Sequence, residues 1–193
     1  MSTRQTSLQL GPADNGRLVS TDEYRSAEWV RPWKYERVAG RLVVMSPDSE
    51  AHDDCSEPIR DLLGAYRLAR QGVVEKVVSE AWICVEGSID RIADIGVYLQ
   101  GASVGIRRPD RVPELVFEVV SPGAESHDRD YIEKRDDYYG CGVREYVVID
   151  RFRRLAVIFT SGADDFSERC LTETEEYTTP LLPGLVIPLS AVF

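Results

Sequence analysis

Lysine is nearly missing from this 193-residue chain: Lys34, Lys76 and Lys134 are the only three, and every other base is arginine. With 23 Lys+Arg against 33 Asp+Glu, the formal net charge is −10. That balance argues against a protein that coats duplex DNA non-specifically, which needs clustered bases to neutralise phosphates. It leaves room for a nucleic-acid enzyme, because a metal cluster needs carboxylates. Histidine is rarer still, with His52 and His127 alone, and Cys55, Cys84, Cys141 and Cys170 form no CxxC pair. A structural zinc site needs four ligands at short paired spacing, so it is excluded. Long apolar runs are absent too. The best, Leu115–Val120, is interrupted by Glu118 and is far too short to span a bilayer. Residues 1–16 are polar, with no basic-then-apolar leader, so the expectation is a soluble, cytoplasmic protein with reduced thiols and no membrane partner.

What is present suits one packed domain: 43% hydrophobic and 29% charged residues. Residues 1–18 read as a flexible tail and 19–193 as a single domain. Ser20-Thr21-Asp22-Glu23 has capping-box spacing and opens a short helix to about Val30. Tyr35–Val38 and Arg41–Met45 flank Ala39-Gly40 as a hairpin. Ile59, Leu62, Leu63 and Tyr66 follow helical spacing, with Pro58 suited to the first turn. Val73–Val85 reads as one long strand or two short ones, and Arg91–Leu99 as another. Glu114–Ser121 is the most hydrophobic strand, and Ser126–Tyr139 is a helix closed by Gly140 and Gly142. A second hairpin over Val143–Asp150 and Leu155–Thr160, and a last strand near Leu171–Thr178, complete a mixed α/β order with a central sheet.

Strand parity gives the sharpest chemical clue. Leu115, Phe117 and Val119 share one face, and Val116, Glu118 and Val120 the other, so both faces are apolar apart from Glu118. A lone carboxylate there costs several kcal/mol unless a cation or good donors compensate it. An arginine partner is one solution and a metal ion the other. Asp94, inside the Arg91–Leu99 strand, meets Glu118 if the two strands are neighbours. Two hard carboxylates plus a backbone carbonyl, that of Val119, suit Mg²⁺ or Mn²⁺, and Gly96 would leave room for a ligand or a close backbone. Tyr131, Lys134 and Tyr138 lie on one face of the following helix. If the tyrosines pack on the sheet, the Lys134 ammonium is carried toward the carboxylates, where it stabilises phosphoryl charge or orients a water.

Tyr35-Glu36, Gly40, Met45-Ser46-Pro47, His52, Arg91 with Asp94, Pro113–Pro122, Glu133-Lys134, Tyr138, Gly142–Tyr146 and Leu182-Pro183-Gly184 recur in this order. Together they resemble the Uma-type putative restriction endonuclease family, a branch of the PD-(D/E)XK nuclease superfamily, from about residue 22 to 193. The resemblance implies a restriction-endonuclease-like α/β fold, with a mixed central sheet flanked by helices and an added N-terminal helix and hairpin. It also implies metal-dependent cleavage of DNA to a 5′-phosphate by a homodimer, with Asp94, Glu118 and the Val119 carbonyl as metal ligands. The superfamily's lysine would fall at Val120; in this branch it moves to the next helix, at Lys134. The family's Arg-Pro-Asp stands here as Arg91-Ile92-Ala93-Asp94, without the proline, and Arg41 replaces the acid that often follows the hairpin glycine. Pro109-Asp110 is a literal Pro-Asp, but it lies in a loop. Glu36, His52 and Glu80 are candidates for supporting the site, and Arg107, Arg108 and Arg111 for gripping phosphate. The rival expectation is a nuclease-like fold that binds nucleic acid or a protein without turnover.

Overall fold

The computed structural model describes residues 8–101, 110–123, 127–162 and 166–193. Of the expected tail over residues 1–18, residues 8–18 are described and carry structure, while 1–7 lie outside the described residues. β1 (Gln9–Leu10) is followed by a turn at Pro12–Asp14, and Leu10 is fully buried against Tyr24, Tyr35 and Leu42. Leu8-Gln9-Leu10 alternates over only three residues, too short a run to read as a strand, which is why the sequence pattern missed it. At Ser20 the capping box forms as read. The Ser20 hydroxyl accepts the Glu23 N–H at 3.2 Å, and the Glu23 carboxylate accepts the Ser20 N–H at 2.8 Å. The helix it starts, α1 (Thr21–Ser26), ends sooner than expected, because Glu28–Trp29 forms β2 and pairs with β1.

β3 (Lys34–Val38) and β4 (Arg41–Met45) make the expected hairpin, with Ala39 and Gly40 both at positive φ as a two-residue turn requires. α2 (Glu50–Ala69) departs from expectation. It begins two turns before Pro58 and runs through it. Proline lacks only one N–H, and burial of His52, Cys55 and Ser56 on the same face as Ile59 and Leu63 compensates for that loss. β5 (Val74–Glu86) is one long strand, antiparallel to β6 (Ile89–Leu99). Every residue of β7 (Leu115–Val119) is buried. A helical segment follows, with a wide π-type turn at Arg129–Glu133 leading into α3 (Lys134–Cys141).

β8 (Glu145–Asp150) lies parallel to β7 and is also buried throughout. β9 (Leu155–Ser161) and β10 (Phe166–Thr172) continue as an antiparallel meander, so the expected last strand starts five residues early and stops at Thr172. β11 (Glu176–Tyr177) and β12 (Ile187–Pro188) close the chain. Among the described residues the main sheet runs β10-β9-β8-β7-β6-β3-β4, with β5 on β6. Only the β7–β8 contact in it is parallel, so the sheet is mixed as expected. The parity reading holds. Leu115, Phe117 and Val119 pack with Ile59, Leu63 and Tyr66 of α2, and Val116 and Val120 pack with Tyr138 of α3. All four cysteines are free thiols, and no described helix is long and apolar enough to cross a membrane.

Gly96 serves close packing rather than a ligand. A Cβ there would meet the Ala81 Cβ at 2.7 Å and Pro113 at 3.4 Å. Gly96→Ala is therefore expected to cost about 1–3 kcal/mol of stability by overpacking, read as a lower urea midpoint at unchanged slope. An unchanged midpoint would show that β5 and β6 separate freely here.

Candidate active site

The site lies where the sheet splits. One edge of β6 carries β5, and the other meets β7 over Ile95–Val97 but β3 only at Asp90. Between those contacts, carboxylates replace the missing strand. Glu36 of β3 accepts the Ile92 N–H at 3.0 Å, and Asp94 of β6 accepts the Val119 N–H at 2.9 Å. Backbone donors that a ladder would have used thus hold two acids in place.

Asp94 Oδ2 also takes His52 Nε2 at 2.9 Å, and its Oδ1 lies 3.3 Å from Lys34 Nζ. Burial works to raise this carboxyl, but the His52 hydrogen bond and the His52 and Lys34 charges hold it well below the usual carboxylate range. Glu118 sits on the α3 side. Its Oε1 accepts from Lys134 Nζ at 2.9 Å and from the Tyr138 hydroxyl at 2.8 Å. Lys134 lies 3.4 Å from Glu36 and 3.8 Å from Asp130 as well, so one buried ammonium serves three buried acids. Arg91 also pairs with Glu36, and Arg129 with Asp130 at 3.3 Å. Burial pushes Glu118 up to about 8, against the Lys134 charge and with the help of Asp94 and Asp130; Asp130 is raised mainly by burial too.

Arg91, 2% exposed, fixes the rear of this group through Glu36 at 2.9 Å, Glu133 at 3.3 Å and Asp137 at 2.7 Å. The π-turn brings Asp130 toward Lys134, while its carbonyl accepts the Tyr146 hydroxyl at 2.8 Å. A cavity of about 390 Å³ opens over the group, lined by Lys34, Asp48, His52, Asp94, Glu118 and Lys134 among others. The Met45-Ser46-Pro47 segment and Ser121 form part of its wall.

The donor set fits a divalent ion. Asp94, Glu118 and Val119 face one cavity, their oxygens are hard ligands, and an excess of buried carboxylates over cations is what such an ion relieves. In an extended strand the Val119 carbonyl opens to the same edge as its N–H, toward Asp94. Asp48, His52 and Asp53 bring ligand atoms within 4.8 Å of one another near by. His52 Nδ1 is buried without a hydrogen-bond partner, 3.6 Å from Asp48 Oδ2.

Asp94, Glu118, Lys134, Glu36 and His52 are thus assembled in one place. Glu80 stands at the rim, its side chain about half exposed and 3.9 Å from Lys34 Nζ. Arg111 is not at the cavity. It is buried, pairs with Glu75 at 2.6 Å, donates to the Leu99 carbonyl at 3.2 Å and lies over Tyr98, so it is not free to grip phosphate. Arg107 and Arg108 lie outside the described residues. Asp110, of the literal Pro-Asp, is exposed and paired to Arg25 at 2.6 Å. Sequence reasoning missed Lys34, Asp48 and Asp130. The scarcity of lysine was a usable signal, since two of the three lysines reach the site.

The Uma2 family, described as putative restriction endonuclease, matches residues 21–190. The chain belongs to this family. Among solved structures, a putative nuclease belonging to DUF820 from Anabaena variabilis ATCC 29413 superposes with a TM-score of 0.72 at 12% identity, covering 91% of this chain and 97% of that one. At that identity the likeness speaks for the fold, which is restriction-endonuclease-like. No curated protein matches the chain. Family and fold together point to a nuclease, and Asp94 and Glu118 line one cavity of this chain.

Glu80 adopts φ 49° in the middle of β5, a left-handed backbone that costs a non-glycine residue about 1–2 kcal/mol. Glu80→Gly is expected to leave the urea midpoint equal or to raise stability by about 1 kcal/mol, whereas glycine in an ordinary strand position lowers it. A clear loss of stability would mean that the Glu80 side chain holds the strand together.

Proposed function

We propose that the protein is a divalent-metal-dependent endonuclease hydrolysing phosphodiester bonds in DNA, as one domain over residues 19–193, homodimeric and cytoplasmic. The observation that carries this is the facing of Asp94 and Glu118 across one cavity with the buried Lys134 ammonium 2.9 Å from Glu118. Asp94, Glu118 and the Val119 carbonyl would hold Mg²⁺ or Mn²⁺. Such an ion lowers the pKa of water and neutralises charge on the phosphate.

The chain's own residues do the rest. Lys134 presents its ammonium at the cavity floor, where it orients the attacking water or stabilises charge developing on a phosphate oxygen. Tyr138 and Glu36 keep Glu118 and Lys134 in register, and Arg91 fixes Glu36. His52 holds Asp94 in its orientation, and Lys34, 10% exposed and paired with Asp48 at 2.5 Å and Asp94 at 3.3 Å, lines the same cavity, where a flanking phosphate would compete with those acids for it. The net charge of −10 favours the other class, a nuclease fold that binds without turnover. Against it stands the buried group of acids and lysine, which costs stability and gives a pure scaffold nothing in return.

Supercoiled plasmid and single-stranded oligonucleotides in Mg²⁺ and Mn²⁺ decide between them. Wild type is expected to cleave, and cleavage to stop on chelation. Glu118→Gln and Lys134→Met, checked for folding by circular dichroism, are each expected to lose roughly a hundredfold or more in rate. Equal cleavage by all three would place the activity elsewhere, and no cleavage by folded wild type would leave the binding class.

A further inference from the structure

All three tryptophans of the chain, Trp29, Trp33 and Trp82, line a second cavity of about 180 Å³. Tyr24 and Tyr35 complete its walls. The rings brace one another: Tyr24 lies edge-on to Trp29 at 4.9 Å and to Trp82 at 5.4 Å, and Trp29 is tilted against Tyr35 at 4.7 Å. Tyr24 and Tyr35 are core residues, whereas Trp29 and Trp82 are half-buried and Trp33 is 38% exposed. The tryptophans thus turn part of their surfaces toward an open slot instead of filling it.

This slot adjoins the catalytic cavity. Lys34 and Ile92 line both, and Glu80, held out by its left-handed backbone, stands at the mouth of the slot with Arg31. Arg31 is 84% exposed and 3.9 Å from Glu80, so its guanidinium faces solvent beside the slot. No hydrogen bond to the Glu80 carboxylate is found among the described residues, and its nearest cations are both at 3.9 Å, so its oxygens are open to a ligand's donors.

The ligand chemistry follows from the neighbours. A strand whose phosphate lies at Lys34 carries its adjoining base within reach of the slot, with Arg31 beside the next phosphate. On a protein of net charge −10, phosphate contacts are few and stacking becomes the larger source of affinity. Aromatic walls accept the face of any base, and a carboxylate at the rim accepts the amino group of cytosine or adenine. We propose that the slot is a nucleobase subsite, taking one unstacked base from a single-stranded or locally opened strand, with Glu80 preferring bases that carry an exocyclic amine. The identity of the strand rests on the nuclease reading; the stacking itself does not.

Because every tryptophan lines the slot, intrinsic fluorescence reports its occupancy directly. The test is a titration of the full chain, in EDTA so that nothing is cut, with oligo-dC, oligo-dT and an abasic oligonucleotide of equal length. Saturable quenching is expected with both base-bearing strands, tighter for oligo-dC. The abasic strand is expected to bind roughly 5- to 150-fold more weakly, without quenching, as loss of one stacked base predicts. Trp33→Ala should weaken oligo-dC binding by a similar factor, and Glu80→Gln should narrow the gap between oligo-dC and oligo-dT. Equal binding and quenching by the abasic strand would overturn the subsite on wild type alone, as would unaltered affinity in folded Trp33→Ala. Cleavage in Mn²⁺ without base-dependent quenching would sink the subsite and spare the nuclease; base-dependent quenching without cleavage would do the reverse.

Discussion

The ammonium of Lys134 holds the site together. It is 3% exposed and lies within 4 Å of Glu118, Glu36 and Asp130, acids contributed by β7, β3 and the π-turn. Each of those carboxylates would be costly to bury alone; Glu36 has Arg91 and Asp130 has Arg129 as further partners, so removing the lysine would leave Glu118 without a cation, a loss of about 3–5 kcal/mol. Burial raises the Glu118 carboxyl more than the Lys134 charge lowers it, with Asp94 and Asp130 adding to the rise. A stable scaffold would have replaced the group with apolar side chains.

Topology explains why the charges gather here. β6 is 11 residues long, and its free edge is shared by two strands that diverge, leaving a stretch of backbone that no ladder satisfies. Glu36 and Asp94 accept the orphaned N–H groups of Ile92 and Val119. The same gap that requires acceptors adjoins the cavity, so both acids are held by backbone; Asp94 lines the cavity and Glu36 lies fully buried behind it. Rigid strands on either side, buried in β7 and β8, fix that geometry within a packed core.

Those parts of the site that follow local periodicity were legible in the sequence. Glu118 breaks an apolar strand on both faces, and Tyr131, Lys134 and Tyr138 share a helix face, so their convergence could be read from spacing alone. Asp94 could be preferred over Asp110 because it lay within a strand pattern. Lys34, Asp48 and Asp130 could not be found that way. Lys34 enters through the strand split, Asp48 stands in the segment before α2, and Asp130 is positioned by a π-turn that has no sequence period. The start of α2 before Pro58 was misread for a related reason: local propensity sets proline at a helix's first turn, while burial of His52 and Cys55 favours two further turns. Arg111 looked like a phosphate-binding loop arginine. Nothing in its spacing could reveal that Glu75, from a distant strand, neutralises it.

The placement of the arginines bears on how an acidic protein with the proposed function would hold a polyanion. Arg37, Arg91 and Arg111 are buried in ion pairs with Asp90, Glu36 and Glu75, so they stabilise the fold and contribute little to the outer field. Among the described residues the cations lining the two adjoining cavities are Lys34, Arg129, Lys134 and Arg31, and of these Lys34 pairs with Asp48 and Asp94, Arg129 with Asp130 and Lys134 with Glu118. A strand drawn to such a surface gains little from long-range attraction and must be held by short-range contacts. Aromatic walls beside an acid-lined cavity supply contacts of that kind. Binding through them depends less on salt than binding through phosphates does, because stacking releases no counterions.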